Sequence, residues 1–314
     1  MRAAVVTELG QPPACGEFPE PSAGAGEVIV SVRAAAISQL VRARASGRHY
    51  SFDGRVPFVA GVDGTGVLPD GRRVYFALPT APFGAMAERA PVREALCVPL
   101  PEGLDEIRAA ALANPGMSSW MALRERAAMR PGETVLVNGA TGSSGRLAVQ
   151  IARHLGARRV IATGRNTAVL AQLGADEVIP LGETGTLAPR LEAAFAGGVD
   201  VVLDYLWGAS AEAILAAAVH ARPAEARRRF VQIGSISGER IALPGAWLRS
   251  SAIEIMGSGI GSVSMERMMV SIGDLLAAAD PAGFEIATSA VPLDAVARAW
   301  AEAEASHRPV ICLG

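Results

Sequence analysis

The chain has 314 residues, half of them hydrophobic and 19% charged, with a formal net charge of −2. This composition excludes a disordered chain, and the near-neutral balance offers no general attraction to nucleic acid or to anionic membranes, which leaves small neutral or anionic molecules as partners. The length suits two domains, and all 29 basic residues counted as Lys plus Arg are arginines, so every mechanism that requires a lysine is excluded.

The N-terminal "MRAAVVTELG" reaches Glu8 before a signal-like apolar run forms, and no charge-free stretch approaches the roughly 18 to 20 residues of a membrane span, which predicts a cytoplasmic protein. Residues 1 to 100 are rich in Gly, Pro and short Val runs, such as "EVIVSVRAA" and "GRRVYFALP", and predict small antiparallel strands. Cys15, Cys97 and Cys312 form neither a disulfide framework nor a metal knuckle; they read as small buried hydrophobes in a reducing compartment. The four histidines lack ligand spacing, and His154 and His220 read as ordinary helix residues.

At residues 137 to 146 the chain reads "VNGATGSSGR", with three glycines in seven positions. Two phosphate-binding devices look like this. A triphosphate loop needs G-x-x-x-x-G-K-[ST], but Ser144 stands where its second glycine belongs and the chain has no lysine. The dinucleotide turn remains, and its context fits: "ETVLVN" before it predicts a buried parallel strand, and "GRLAVQIARHLGA" after it places Leu147, Ile151 and Leu155 on one helical face. In this reading Gly139 permits the tight turn, Gly142 lets backbone N–H groups approach a pyrophosphate, and Gly145 allows the helix to pack closely on the strand.

Further strands are predicted at "RRVIAT", "VDVVLDYL", "RFVQIG" and "SAIEIMG", with helical stretches such as "SAEAILAAAVHA" between them, giving a doubly wound parallel sheet. The end of the second strand selects the cofactor, because an acid there accepts from a ribose 2′-OH whereas an arginine accommodates a 2′-phosphate. Here it reads "ATGRN", with no acid between Glu133 and Asp176. Arg165 is therefore placed to meet a phosphate; the competing reading is a solvated loop arginine. The run Arg227, Arg228 and Arg229 reads as a solvated charge run.

"VLVNGATGSSGRLAVQIARHLGA", "LGADEVI", "VDVVLD" and "RFVQIGSISG", preceded by "VPFVAGVDGTGVL", "GRRVYF" and "APFGAMAERAPV", resemble zinc-independent medium-chain dehydrogenases/reductases of the quinone oxidoreductase type over nearly the whole chain. The resemblance implies a Rossmann domain at 114–260 inserted into a GroES-like β-barrel formed by 1–113 and 261–314, with the cofactor in the cleft between them. It implies a homodimer as the usual form. Where zinc-dependent relatives show Gly-His-Glu this chain has Gly61, Val62 and Asp63, and Val62 cannot bind a metal. No metal is therefore expected. Where quinone reductases commonly show Asn-Pro-x-Asp, it has Ser38 and Val41.

The implied chemistry is hydride transfer from NADPH to a quinone or conjugated enone, with the protein supplying orientation and exclusion of water. By the same resemblance Ser118 lies near the nicotinamide phosphate, Thr141, Gly142, Ser143 and Ser144 at the pyrophosphate, Thr163, Arg165 and Asn166 at the 2′-phosphate, and Gly234 with Ser235 beside the nicotinamide ribose. "GSGIGSV" is expected to close the nicotinamide end. Tyr50 is a candidate proton donor or stacking residue, and Ser38 is the alternative. Two rival functions share the fingerprint: reduction of an enoyl thioester, and a non-catalytic NADPH-binding sensor or crystallin-like protein.

Overall fold

Short runs of Val, Ile and Ala broken by glycine and proline leave the first hundred residues little room for long helices, and they fold as strands. The computed structural model of the chain describes residues 1–49, 52, 55–182, 185–302 and 307–314. It divides into two compact units, Met1–Asn114 with Met269–Gly314, and Pro115–Met268.

The first unit begins with β1 (Arg2–Val6), β2 (Ala14–Glu17), β3 (Glu27–Ala36), α1 (Gln39–Ala45), β4 (Phe58–Val59), β5 (Asp63–Val67), β6 (Arg73–Ala77), β7 (Arg89–Arg93) and β8 (Cys97–Pro99). Strand β1 lies between β2 and β4, while β3, β5, β6 and β8 follow one another in a second antiparallel sheet, with β7 also on β3. Helix α2 (Glu106–Met121) follows.

The second unit carries β9 (Thr134–Asn138), α3 (Ser143–His154), β10 (Arg159–Gly164), α4 (Thr167–Leu170), β11 (Glu177–Pro180), α5 (Leu187–Ala196), β12 (Val201–Asp204), α6 (Gly208–His220), β13 (Arg228–Gln232), α7 (Gly245–Ser250) and β14 (Ile253–Gly257). Among the described residues its strands form one parallel sheet in the order β11-β10-β9-β12-β13-β14. Leu136, Ile161, Val202 and Phe230 are buried in one cluster with Phe195 and Ile214; each such side chain contributes about 1.5–3 kcal/mol through burial.

The chain ends with α8 (Met265–Ala279), β15 (Thr288–Pro292), α9 (Val296–Ala301) and β16 (Arg308–Cys312). Strand β16 pairs antiparallel with β3, setting Val310 opposite Ala36, and β15 lies parallel on its other side. The fold is α/β: a Rossmann doubly wound sheet together with a GroES-like barrel.

The arginine run departs from its sequence reading. Only Arg227 is exposed, held bidentate by Glu254 at 2.7 and 2.9 Å. Arg228 and Arg229 are buried at 4% and 3% exposure. The reason is local: the run opens β13, so the backbone carries these two side chains into the packed sheet, where carbonyls receive them. Arg228 donates to the carbonyls of Ala226 and Pro223, while Arg229 donates to that of Ala127 at 2.8 Å and pairs with Glu133 at 2.7 Å. The cysteines are half-buried thiols rather than fully buried ones, and burial pushes Cys97 up to about 11.

Asp63, the first residue of β5, is buried and accepts a hydrogen bond from Tyr75 Oη at 2.8 Å, while its other oxygen has no hydrogen-bond partner among the described residues. Burial pushes its carboxyl from the ordinary 3.8 to about 6, against the Tyr75 hydrogen bond and the Arg308 charge, which favour the carboxylate. An acid whose pKa is raised by folding stabilises the fold at low pH. That contribution is complete below the unfolded value and is lost as pH rises through about 6. Asp63→Asn keeps an acceptor for Tyr75 but cannot ionise. Between about pH 4 and about pH 7 it is expected to gain on the wild type by up to about 3 kcal/mol in urea unfolding. A stability difference that does not change with pH would show that Asp63 titrates normally.

Candidate functional site

The strand order reverses between β9 and β12, which places a crevice outside their carboxyl ends, where open α/β sheets bind ligands. At that edge three neighbouring strands carry polar residues at or next to their last position, and these bond to one another. Thr163 Oγ1 donates to Asn138 Oδ1 at 2.6 Å, and Asn138 Nδ2 donates to Asp204 Oδ1 at 2.7 Å and to Ser210 Oγ at 2.9 Å. Asp204 also accepts the N–H groups of Leu206 and Trp207 at 3.0 and 3.1 Å, which holds Trp207 at φ +58° where α6 begins. All three ladder side chains are buried, and burial raises the pKa of Asp204 despite these hydrogen bonds, which favour its carboxylate.

Directly after Asn138 the chain turns into α3. Gly139 makes the turn at φ +90°, a conformation L side chains rarely adopt. At Gly145 a Cβ would lie 2.3 Å from the Gly139 carbonyl oxygen and 2.6 Å from Ala140 Cα, so the helix packs on the turn through hydrogen alone. Gly142 is the N-cap and supplies no capping side chain, and the first turn has no acid. The leading N–H groups of α3 are thus left for an external acceptor, with the helix dipole adding positive charge. Thr141, Ser143 and Ser144 stand half-buried around them and Gly142 is exposed. This donor set fits a pyrophosphate.

Around the end of β10, Thr163 is buried in the ladder, while Arg165 and Asn166 are exposed beyond it. Asn166 Oδ1 accepts from the Val169 N–H at 3.1 Å and caps α4. Arg165 has no ion-pair partner among the described residues. A Cβ on Gly164 would sit 2.6 Å from Thr141 Cγ2, so the turn lies against the residue preceding Arg165. Arg146 is tied to the same turn, its Nε donating to the Thr141 carbonyl at 3.1 Å. Two guanidiniums are therefore attached to adjoining segments.

At the end of β12, Tyr205 Oη lies 3.4 Å from Ser118 Oγ, which itself donates to the Pro115 carbonyl at 2.7 Å. Tyr205 is half-buried, and its desolvation pushes the phenol up to about 12, so it stays protonated at neutral pH. Gly234 packs on it: a Cβ there would meet the Tyr205 carbonyl oxygen at 2.7 Å. Ser235 follows, exposed. The structure thus gathers Ser118 and Gly234 around a tyrosine that sequence reasoning passed over.

In the barrel unit, Ser38 is buried as the N-cap of α1, its Oγ accepting from the Val41 N–H at 3.2 Å. Tyr50 lies outside the described residues. A cavity of about 210 Å³ opens beside α1 and β4, with Phe52, Phe58, Phe83, Arg44 and Arg55 in its lining. Among the described residues no group of three or more His, Cys, Asp or Glu side chains is placed to hold a metal ion, and no helix is long and apolar enough to cross a membrane.

A glycine turn at the switch point of a parallel sheet, joined in one chain with a GroES-like barrel, defines a dinucleotide-dependent dehydrogenase or reductase. Residues 145–273 match the family described as zinc-binding dehydrogenase. A probable NADPH-dependent quinone reductase of Emericella nidulans, tdiC, is 32% identical over 99% of both chains. The quinone oxidoreductase of Thermus thermophilus, solved also in complex with NADPH, superposes with a TM-score of 0.83 at 30% identity over the whole of both chains. A phenolphthiocerol synthesis polyketide synthase of Mycobacterium marinum is 30% identical over 83% of this chain but only 12% of that protein. The chain belongs to the medium-chain dehydrogenase/reductase family, in its quinone oxidoreductase branch.

Proposed function

We propose that the protein is an NADPH-dependent reductase of quinones and conjugated enones that works without a metal. The observation that carries the cofactor assignment is the uncapped N-terminus of α3 behind the Gly139–Gly145 turn, with Arg165 exposed on the adjoining strand end. The match to a quinone reductase over its whole length, against a small fraction of a polyketide synthase, favours this reading over the enoyl-thioester one. The half-buried thiols fit a reducing cytoplasm, and a homodimer follows the family's usual form.

NADPH, when bound, supplies the hydride. The chain's own residues bind and orient it: the backbone N–H groups of Ser143 and Ser144 with the Thr141 hydroxyl take the pyrophosphate beside the bare Gly142, whose own N–H donates to the Gly139 carbonyl, and Arg165, Asn166 and Arg146 take the 2′-phosphate. Thr163 supports the turn from within the sheet. Ser118, Tyr205, Gly234 and Ser235 form the nicotinamide side. Ser38 and Tyr50 are the proposed proton donors; Ser38 caps α1 as an acceptor, which leaves its own O–H proton to give. A simple ketone gathers alkoxide charge as hydride arrives and needs a Lewis acid or strong donor, whereas a quinone or enone spreads that charge through conjugation.

Stopped-flow measurement of NADPH loss against matched quinone, enone and ketone acceptors tests the reading. Quinones and enones are expected to react and ketones to be inert. Fast ketone reduction with inert quinones would overturn it, and silence on every acceptor despite tight NADPH binding would identify a sensor. For the cofactor, Arg165→Ala is expected to weaken NADPH by roughly ten- to a hundredfold and Arg146→Ala by a smaller factor, with NADH affected little by either. Equal wild-type affinities for the two cofactors in a fluorescence titration would remove the role given to both arginines.

A further inference from the structure

Asp204, which closes β12, is fully buried, and N–H donors surround its carboxylate. Oδ1 accepts from Asn138 Nδ2 at 2.7 Å and from the Leu206 N–H at 3.0 Å, and the Trp207 N–H reaches both oxygens at 3.1 Å. An ionised carboxylate only accepts and has room for several donors, whereas an amide in its place would turn an NH2 group toward some of them. Asn138 cannot turn its own amide round to compensate, because its Oδ1 already receives the Thr163 hydroxyl at 2.6 Å. The pairing is therefore specific for an acid on β12 and an amide on β9.

These bonds hold the loop 205–207 in a strained shape. Trp207 lies at φ +58° and ψ −159°, a region that large side chains rarely enter and that persists where neighbours over-determine it. The loop is wedged between two segments. Toward β9, the Tyr205 N–H donates to the Asn138 carbonyl at 3.1 Å, and a Cβ on Gly139 would stand 2.9 Å from Leu206 Cγ. Toward β13, the Asp204 carbonyl accepts the N–H groups of Ile233 and Gly234 at 2.7 and 3.1 Å, and the Leu206 carbonyl accepts that of Ser237 at 2.9 Å. A Cβ on Gly234 would stand 2.7 Å from the Tyr205 carbonyl oxygen, so neither side has room for a methyl group. The glycine turn and the segment 234–237 are thus spaced by a loop whose shape Asp204 dictates.

We propose that Asp204 is a positioning residue for the cofactor: through the loop 205–207 its carboxylate sets the spacing between the turn that takes the pyrophosphate and the segment 234–237 beside the nicotinamide. This rests on the reductase reading, which assigns the two segments to two parts of one NADPH. Affinity comes mostly from the phosphates, so a loosened loop leaves binding nearly intact and misplaces the reacting ring, where an error of about 1 Å costs roughly a hundredfold in rate.

The test separates placement from affinity. In Asp204→Asn, single-turnover hydride transfer to naphthoquinone in stopped flow is expected to slow roughly a hundredfold, with NADPH affinity within about fivefold of wild type. The exchange Asn138→Asp/Asp204→Asn reverses the pair. Its introduced amide donates to the introduced carboxylate and keeps an oxygen for the Leu206 and Trp207 N–H groups, while Thr163 still has an acceptor. Transfer should recover to within about tenfold of wild type, a coupling that two independent sites would not show. Transfer in Asp204→Asn that keeps pace with wild type, or falls only in step with affinity, overturns the inference, as does an exchange variant as slow as the single one. If Asp204→Asn does not fold, Leu206→Ala shortens the same wedge at a half-buried residue. Transfer slowed roughly tenfold at unchanged affinity then upholds the inference, and an unchanged rate overturns it. If NADPH binds but no acceptor consumes it, the reductase reading falls, and the fluorescence lifetime of the bound reduced nicotinamide decides the inference alone. A lifetime changed in Asp204→Asn and restored in the exchange variant upholds it, and equal lifetimes overturn it. Absence of NADPH binding by wild type overturns both.

Discussion

Gly145→Ala is expected to weaken NADPH binding by about a hundredfold or more and to cost about 1–3 kcal/mol of stability. The added carbon would stand 2.3 Å from the Gly139 carbonyl oxygen and 2.6 Å from Ala140 Cα, and both obstacles are backbone. No side chain can swing aside, so the turn or the helix must move, and either displaces the donors meant for the pyrophosphate. Fluorescence titration with NADPH and urea unfolding of the same preparation separate the two effects. Gly16→Ala, in β2 and away from the turn, is the control, since a Cβ there meets nothing within 4 Å. If Gly145→Ala bound NADPH as tightly as Gly16→Ala, close packing at this position would not govern the site.

Arg229→Met is expected to destabilise the fold by about 3 kcal/mol, the lower end for removal of one partner of a buried ion pair. The loss is larger than deletion of a surface charge, because Arg229 is 3% exposed and joins the Ala127 carbonyl to Glu133. It falls at the lower end because Glu133, 21% exposed, can still turn to water. Met fills much of the same volume, so the measurement weighs the pair more than a cavity. Arg227→Met, which removes an exposed partner of Glu254, should leave the urea midpoint almost where it is in wild type. Equal urea midpoints for the two variants would show that the buried pair has no special weight.

These contrasts also mark where sequence reasoning succeeds. The glycine turn was legible because three glycines between an apolar run and an amphipathic helix leave few backbone solutions, and the structure ends β9 just before it and starts α3 within it. The position of Arg165 just beyond β10 was legible because it follows from counting to the end of the second strand, while its part in holding a 2′-phosphate stands as a proposal. The arginine run was misread because three adjacent charges look solvated in one dimension, and only the start of β13 at Arg228 reveals that two of them enter the sheet. Asn138 and Asp204 passed unnoticed for a related reason: a polar residue closing an apolar run looks like the first residue of a loop. The pairing of β9 with β10 and β12 is what brings Thr163, Asn138 and Asp204 into line. Arg146 was hidden inside a helix pattern, its tie to the Thr141 carbonyl running back across the turn. The cavity was not legible at all, because its walls come from segments scattered between Val41 and Phe83.

The ladder across β10, β9 and β12 has a further consequence for the thermodynamics of cofactor capture. Thr163, Asn138 and Asp204 lock three strand ends together using protein groups alone, so the geometry of the receiving turn is fixed before any nucleotide arrives. Entry then surrenders little conformational freedom at that end of the sheet, and binding energy that would otherwise go into ordering a loop is kept as affinity. Heat-capacity changes on titration should accordingly reflect desolvation of the incoming nucleotide and its pocket, without the larger signature of a segment that folds around its ligand.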